Sequence, residues 1–110
     1  MEAPLIEIVA RGSRGIARGP AGTIELTARE VRLVQLLAAR RAQEVDPEWA
    51  YVASHELAGA LGFKSIEPSG ENVRELVCRV RRKLASVGGD GVVQSKPHVG
   101  YRIAALVRAA

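Results

Sequence analysis

The segment from Asn72 to Leu84 constrains the fold of this chain more than any other. Its apolar residues recur every three or four positions, as they do in a helix with one buried face. These residues are Val73, Val77, Val80 and Leu84, with Leu76 beside them. Gly88 and Gly89 end the pattern, so the spacing predicts a helix over residues 72–86 whose apolar side points inward.

A capping box predicts an earlier helix. In Thr27-Ala28-Arg29-Glu30 the threonine hydroxyl can accept from the Glu30 amide, while the Glu30 carboxylate reaches back to Thr27. Apolar residues at helical spacing follow and predict that this helix runs to about Arg41 or Ala42. A second, shorter helix is predicted from Ser54, as its N-cap, to Gly62. For the third helix, Asn72 is the predicted N-cap and Ser69 is the alternative.

Runs of β-branched and apolar residues predict strands on both sides of the helices. Three lie before the first helix, at residues 5–9, 14–18 and 23–26, and two follow the third helix, at 92–95 and 101–104. Residues 50–53 are a short extended candidate between the first two helices. The expected fold class is therefore α+β: a small N-terminal antiparallel sheet (1–26), three helices (27–87) and a C-terminal β-hairpin (92–104).

Length and composition narrow the class of protein. A chain of 110 residues, 47% hydrophobic and 25% charged, is expected to form one soluble globular domain spanning residues 1–110. Its only cysteine, Cys78, excludes an internal disulfide. The sequence has neither an apolar run of about 20 residues nor a signal-peptide pattern at its start, so we expect a cytoplasmic protein without a membrane span.

The positive charge is concentrated in the last third of the chain. Residues 71–110 carry eight Lys or Arg and three Asp or Glu, whereas the chain as a whole has a net charge of +4. This distribution is typical of a protein that binds a polyanion, although a solubilising basic surface would also produce it.

The predicted third helix places charged residues opposite its apolar stripe. At about 100° per residue, Asn72, Glu75, Arg79 and Arg82 point outward, flanked by Arg74, Cys78 and Arg81. The DNA major groove admits one helix, and an arginine can donate two hydrogen bonds to guanine O6 and N7. Arg79, at the centre of this face, is the candidate for reading a base, and Glu75 could accept from cytosine N4. Arg74, Arg81 and Arg82 suit phosphates or edge bases; a solvated amphipathic helix is the competing interpretation.

The predicted hairpin supplies further candidates. Lys96 and His98 lie in its loop and could approach the minor groove or a phosphate, and Arg102 lies on its second strand. Arg102 could equally pair with the body of the domain. Tyr101 is expected to pack beneath the hairpin, and Trp49 is expected to cover the core; an exposed Trp49 would instead suggest a protein contact.

Four stretches of this sequence, in order and at matching separations, resemble the OmpR/PhoB-type DNA-binding effector domain of bacterial response regulators. They are Leu26-Thr27-Ala28-Arg29-Glu30 with Leu33, Leu36 and Leu37; Val52 to Leu57; Asn72 to Leu84; and Val92 to Ser95 continuing into Val99 to Ile103. The resemblance covers residues 22–104. The chain departs from the family at Leu76, where histidine is common, and at Pro97, where many members have an arginine at the tip of the hairpin.

The resemblance implies a winged helix-turn-helix fold and a sequence-specific, double-stranded DNA-binding transcriptional regulator associated with the nucleoid. The third helix would enter the major groove, with Arg79 as a base contact, and two protomers would occupy repeated half-sites. It also implies a contact with RNA polymerase through the loop at residues 62–70. We expect no cofactor.

The sequence also bears on two other function classes. An enzyme is not expected, because the sequence lacks nucleophile-elbow, zinc-protease and phosphate-loop motifs, and its Cys and His residues lack metal-ligand spacing. A winged-helix adaptor that binds a protein and not DNA remains the alternative, since one fold hosts several functions. Substitution of Arg79 discriminates between a DNA-binding domain and an adaptor.

Overall fold

A computed structural model describes residues 5–11, 14–44, 46, 49–63, 71–104 and 106–109. Over these residues the chain is a small α+β domain with three helices and two sheets. In chain order the strands are β1 (Leu5–Arg11), β2 (Arg14–Gly19) and β3 (Gly22–Leu26), then β4 (Val93–Lys96), β5 (Gly100–Ile103) and β6 (Leu106–Ala109). The helices α1 (Ala28–Gln43), α2 (Ser54–Ala60) and α3 (Glu71–Ser86) lie between β3 and β4.

The first sheet contains one strand that the sequence did not predict. Strands β1, β2 and β3 form the expected antiparallel meander, with Ile8 opposite Ala17 and Ala17 opposite Ile24. Strand β6 returns from the end of the chain and pairs with β1 in parallel, so the sheet order is β3-β2-β1-β6 and the sheet is mixed. The predicted antiparallel pairing of the N-terminal sheet is thus confirmed for β1–β3, and the parallel strand β6 is an addition that was not predicted.

The capping box at the start of α1 is confirmed. Thr27 Oγ1 accepts from the Glu30 amide at 3.3 Å, and Glu30 Oε1 accepts from the Thr27 amide at 2.7 Å. The helix ends at Gln43, one residue beyond the predicted limit. Its inner face, which includes Leu33, Val34 and Leu37, is fully buried.

The N-caps predicted at Ser54 and Asn72 were wrong. Helix α2 begins at Ser54 itself, with Ala53 as the N-cap and no side-chain cap hydrogen bond. Helix α3 begins at Glu71, so Asn72 lies inside it, where its Oδ1 accepts from the Val73 amide at 2.8 Å. The alternative cap, Ser69, lies outside the described residues.

Helix α2 ends just before Gly62, the residue that was predicted to terminate it. Gly62 has a φ of 73°, and its amide donates to Gly59 O while the Phe63 amide donates to Ala58 O, both at 3.2 Å. This is the pattern of a Schellman motif, which satisfies the last carbonyls of the helix.

The second sheet is the predicted hairpin. Strands β4 and β5 are antiparallel, with Gln94 opposite Arg102 and Ser95 opposite Tyr101. Val52, in the predicted extended segment 50–53, adds an isolated antiparallel bridge to Tyr101. A single core joins β1, the three helices and this hairpin, and Ile6, Leu57, Val80 and Ile103 are among its buried members.

Candidate nucleic-acid interface

Helix α3 separates a buried face from a charged face, as its spacing predicted. Val73, Leu76, Val77, Val80 and Leu84 are buried. The opposite side exposes five of the predicted site residues, and two more are half-buried. The exposed residues are Arg74, Glu75, Cys78, Arg79 and Arg82, and the half-buried ones are Asn72 and Arg81. Burial of the apolar face fixes the rotation of α3, so the charged face is held toward solvent.

No carboxylate of the described residues forms an ion pair with Arg79 or Arg82. Both side chains are exposed, and neither makes an ion pair or hydrogen bond within the described part of the chain. Glu75 lies one turn before Arg79 on the same face. We call Glu75, Arg79 and Arg82 the α3 ridge. It places two cations and one hydrogen-bond acceptor along the outward side of a 16-residue helix.

Arg81 has a different environment from its neighbours. Its Nε donates to the carbonyl oxygen of Val93, the first residue of β4, at 3.0 Å. This hydrogen bond joins the middle of α3 to the start of the hairpin. Arg81 is thus positioned to set the orientation of the hairpin relative to α3, in addition to any phosphate contact its outer amino groups could make.

The three candidate residues of the hairpin, Lys96, His98 and Arg102, differ in solvent exposure. Lys96 and His98 are exposed at the turn, and Arg102 is half-buried. Arg102 Nε donates to Gln94 Oε1 at 2.9 Å, and its guanidinium lies 4.8 Å from the centre of the Tyr51 ring. The Lys96 ammonium lies 5.9 Å from the same ring.

Tyr51 is a component of this site that sequence reasoning missed. The signal available in the sequence was the extended segment 50–53, but its partner strand was not predictable from local pattern. The Val52–Tyr101 bridge, with amide–carbonyl distances of 2.7 and 2.9 Å, brings Tyr51 beside β5. Tyr101 itself is half-buried and packs against the core, as expected.

Trp49 does not cover the core. Trp49 is 71% exposed, and its amide donates to Asp46 O at 3.0 Å. The expectation of a buried lid was wrong: the residues of this segment that lie in the core are Ala50 and Val52, which are 0% and 5% exposed.

Only two residues of the loop predicted to contact RNA polymerase, residues 62–70, are among the described residues. Gly62 and Phe63 are placed, and Phe63 packs against the core with the Arg29 guanidinium 4.3 Å from its ring centre. Residues 64–70 lie outside the described residues.

Neither a metal-binding cluster nor a membrane-spanning helix is found among the described residues. No group of three or more His, Cys, Asp or Glu side chains in this part of the chain is arranged to hold a metal ion. None of the described helices combines the length and apolar character required to cross a bilayer.

Comparison with known proteins gives no relative from which a function could be transferred. The chain matches no family model, no curated protein and no solved structure. Its function must therefore be argued from the residues themselves.

Proposed function

We propose that this protein is a winged helix-turn-helix domain of the OmpR/PhoB type and a sequence-specific regulator of transcription that binds double-stranded DNA. In this proposal α3 enters the major groove, and the β4–β5 hairpin is the wing. The bound form would comprise two protomers on repeated half-sites, with a polymerase contact through residues 62–70. The protein would work at the nucleoid without catalysis or a cofactor.

One observation carries the proposal: the exposed face of α3 holds Arg79 and Arg82 without hydrogen-bond or ion-pair partners among the described residues, opposite a fully buried stripe. An exposed arginine on a helix of fixed rotation suits bidentate donation to guanine. Glu75, one turn earlier, suits acceptance from cytosine N4. A merely solvated helix would more commonly pair its cations with acidic neighbours, and here Glu75 is the only acidic residue from Asn72 to Leu84.

The test is duplex binding measured by fluorescence anisotropy over a range of salt concentrations. A pool of random duplexes is first selected for the preferred sequence, which is then compared with a scrambled duplex. With four to six phosphate contacts, log K should fall with log salt at a slope of about −4 to −5. Arg79→Ala should lose about 1–3 kcal/mol on the preferred duplex and much less on the scrambled one.

Arg32→Ala is the matched control, because Arg32 is exposed on α1 and makes no ion pair or hydrogen bond with the described residues. It removes the same charge from a different surface. Equal losses for the Arg79 and Arg32 variants would show a non-specific charge effect. Absence of duplex binding at low salt would exclude the proposal.

A protein-binding adaptor is the second candidate function, and the exposure of Trp49 favours it. Exposed tryptophan side chains are enriched among the residues that dominate protein interfaces. Trp49→Ala should leave duplex binding unchanged if DNA is the ligand of α3. An adaptor would show the reverse: partner binding lost in Trp49→Ala and retained in Arg79→Ala.

A further inference from the structure

Strand β6 forms one edge of the first sheet. In the sheet order β3-β2-β1-β6, its only strand neighbour among the described residues is β1. An edge strand presents a row of backbone amides and carbonyls with which a further strand can pair. The edge therefore specifies the chemistry of its ligand, which is an extended backbone segment that adds to the sheet.

The sequence of β6 does little to prevent such pairing. Leu106, Val107 and Ala109 are apolar, Arg108 carries the one charge, and the strand contains no proline, glycine or lysine. Proline and charged side chains, lysine above all, are the devices that keep natural edge strands from pairing. The length of β6, four residues, limits the contact area, so we expect pairing at this edge to be weak and dependent on concentration.

The opposite edge of the sheet, β3, is occupied by other parts of the molecule. Glu25 O accepts from the Lys83 ammonium at 3.1 Å, and α3 packs beside this strand. The last residue of β3 is followed directly by Thr27, the N-cap of α1. Copies of the sheet therefore cannot join head to tail through β3 and β6. The open edge can meet only the same edge of a second copy, which is an isologous contact about a two-fold axis.

Symmetry and charge select the register of that contact. Directly opposed residues of antiparallel strands share a face, so a two-fold axis normal to the sheet passes through one residue position. Within β6, only axes at Val107 or Arg108 give three residue pairs. An axis at Arg108 would oppose two arginines, which destabilises a strand pair. An axis at Val107 places Leu106 opposite Arg108 of the partner subunit, and Glu7, paired with Arg108 on β1, supplies a carboxylate position beside each arginine.

We propose that two copies of this chain associate through β6, which pairs antiparallel with the same strand of the second copy about a two-fold axis at Val107. The two sheets then form one continuous sheet. Because the axis is normal to the sheet, both buried faces, and with them both copies of α3, lie on the same side of it. The inference deepens the proposed function, which requires two protomers on DNA. The association itself does not rest on that function, but its consequence, that the two half-sites are inverted and not direct repeats, does.

Sedimentation equilibrium of the full chain without DNA, over a range of concentrations, tests the association. The average mass should rise with concentration from the monomer toward twice that value. Leu106→Glu should tighten the dimer by about two- to tenfold at low salt, because each new carboxylate faces an arginine of the second copy. The gain should disappear in high salt. Leu106→Lys changes the same position with the opposite charge and should weaken the dimer by a similar factor.

The opposite edge strand provides the matched controls. Thr23→Glu and Thr23→Lys place the same charges on β3, where Thr23 is exposed, and should leave the dissociation constant of the dimer unchanged. Adjacent proline variants test the backbone contact, because alternate residues of β6 direct their amides toward β1 or away from it. One of Val107→Pro and Arg108→Pro should therefore abolish the dimer with little loss of unfolding free energy, since an edge strand tolerates proline where its amide faces outward.

Three results would overturn the inference. A chain that stays monomeric up to millimolar concentration would leave the edge to a strand of a different protein. A dimer that responds alike to Leu106→Glu and Leu106→Lys would exclude the register at Val107, and one that responds to the Thr23 variants would place the contact at β3. The concentration dependence of the parent chain decides the matter if the Leu106 variants do not fold. Duplex binding by a monomeric parent, with its loss in Arg79→Ala, would remove this inference and leave the proposed function standing.

Discussion

The Lys83 ammonium lies 2.6 Å from Oε1 of Glu30, joining the last turns of α3 to the first turn of α1. Glu30 is 1% exposed, and the same oxygen accepts from the Thr27 amide at 2.7 Å. Lys83 Nζ also donates to Glu25 O at 3.1 Å. The Glu30 carboxylate thus completes the cap of α1, and Lys83 joins α3 to both α1 and β3, which helps determine the direction in which the exposed face of α3 points.

The stability of the fold should fall in acid through Glu30. Burial raises the pKa of the Glu30 carboxyl, but the hydrogen bonds from Lys83 and the Thr27 amide, and the positive charge of Lys83, together hold that pKa below its ordinary value of 4.5. A carboxyl whose folded-state pKa is lowered stabilises the fold fully above its unfolded-state pKa and loses that contribution as the pH falls through the folded value. The window of loss therefore lies below about pH 4.5.

Urea unfolding at several pH values tests this expectation against Glu30→Gln, which keeps an acceptor but carries no charge. At pH 7 the variant should be less stable by about 1–3 kcal/mol. The difference between the two proteins should shrink as the pH falls below 4.5. A difference that stays constant down to pH 3 would show that Glu30 acts through packing and not through its charge.

Removal of Lys83 should be costly, because it leaves a buried carboxylate with only the cap hydrogen bonds. Lys83→Met keeps the aliphatic stem and should lose about 2 kcal/mol of unfolding free energy, less than for a fully buried pair since Lys83 is 30% exposed. The double variant Lys83→Met/Glu30→Gln should be more stable than the sum of the single losses predicts. Strict additivity in this double-mutant cycle would mean that the two side chains are not coupled.

The helices were largely predictable because their signals are local. The Thr27–Glu30 box and the Val73 to Leu84 stripe each lie within a few turns of one helix, and the structure confirms both. Strand β6 was not predictable, since its partner β1 lies about a hundred residues away and Leu106–Ala109 has only four residues. The N-caps predicted at Ser54 and Asn72 failed because Ser and Asn are also acceptable in a first turn, where Ser54 is the first and Asn72 the second residue of its helix.

The site was predictable on α3 and less so elsewhere. Helical spacing alone placed Arg79 and Arg82 outward, and they are exposed. Lys83 was counted among the positive charges of residues 71–110, but its ammonium is engaged by the buried Glu30 carboxylate. That contact joins residues 53 positions apart, which no local pattern encodes. Tyr51 was missed for the same reason, since its neighbours Lys96 and Arg102 are brought to it by sheet pairing.

Gly100 should tolerate no side chain. Its φ of 146° is reserved for glycine, and a Cβ there would overlap the carbonyl group of Val52, which accepts from the Tyr101 amide. Gly100→Ala should therefore break the Val52 bridge and cost roughly 2 kcal/mol or more in urea unfolding. Gly91→Ala is the control: its φ is also positive, at 73°, but open space surrounds it, so it should cost only about 1 kcal/mol. Equal losses would exclude the steric argument.

The turn of the hairpin carries local strain at His98. Pro97 and His98 are the central residues of a turn closed by the Val99 amide donating to Lys96 O at 3.0 Å. His98 has a φ of 64°, a left-handed conformation that glycine adopts without penalty. His98→Gly should therefore raise the unfolding free energy by about 0.5–1 kcal/mol, because the left-handed penalty of roughly 1–2 kcal/mol exceeds the roughly 0.4–1 kcal/mol by which glycine stabilises the unfolded chain.

The same substitution separates stability from binding. If His98 contacts the duplex, His98→Gly should be more stable in urea and yet bind DNA more weakly, because relief of strain and loss of a contact act on different equilibria. His98→Asn is the matched comparison, since asparagine tolerates the left-handed conformation and keeps a polar side chain. A His98→Gly variant that binds as tightly as the parent would remove His98 from the interface. One that is less stable than the parent would show that the His98 side chain contributes more to the turn than its strained backbone costs.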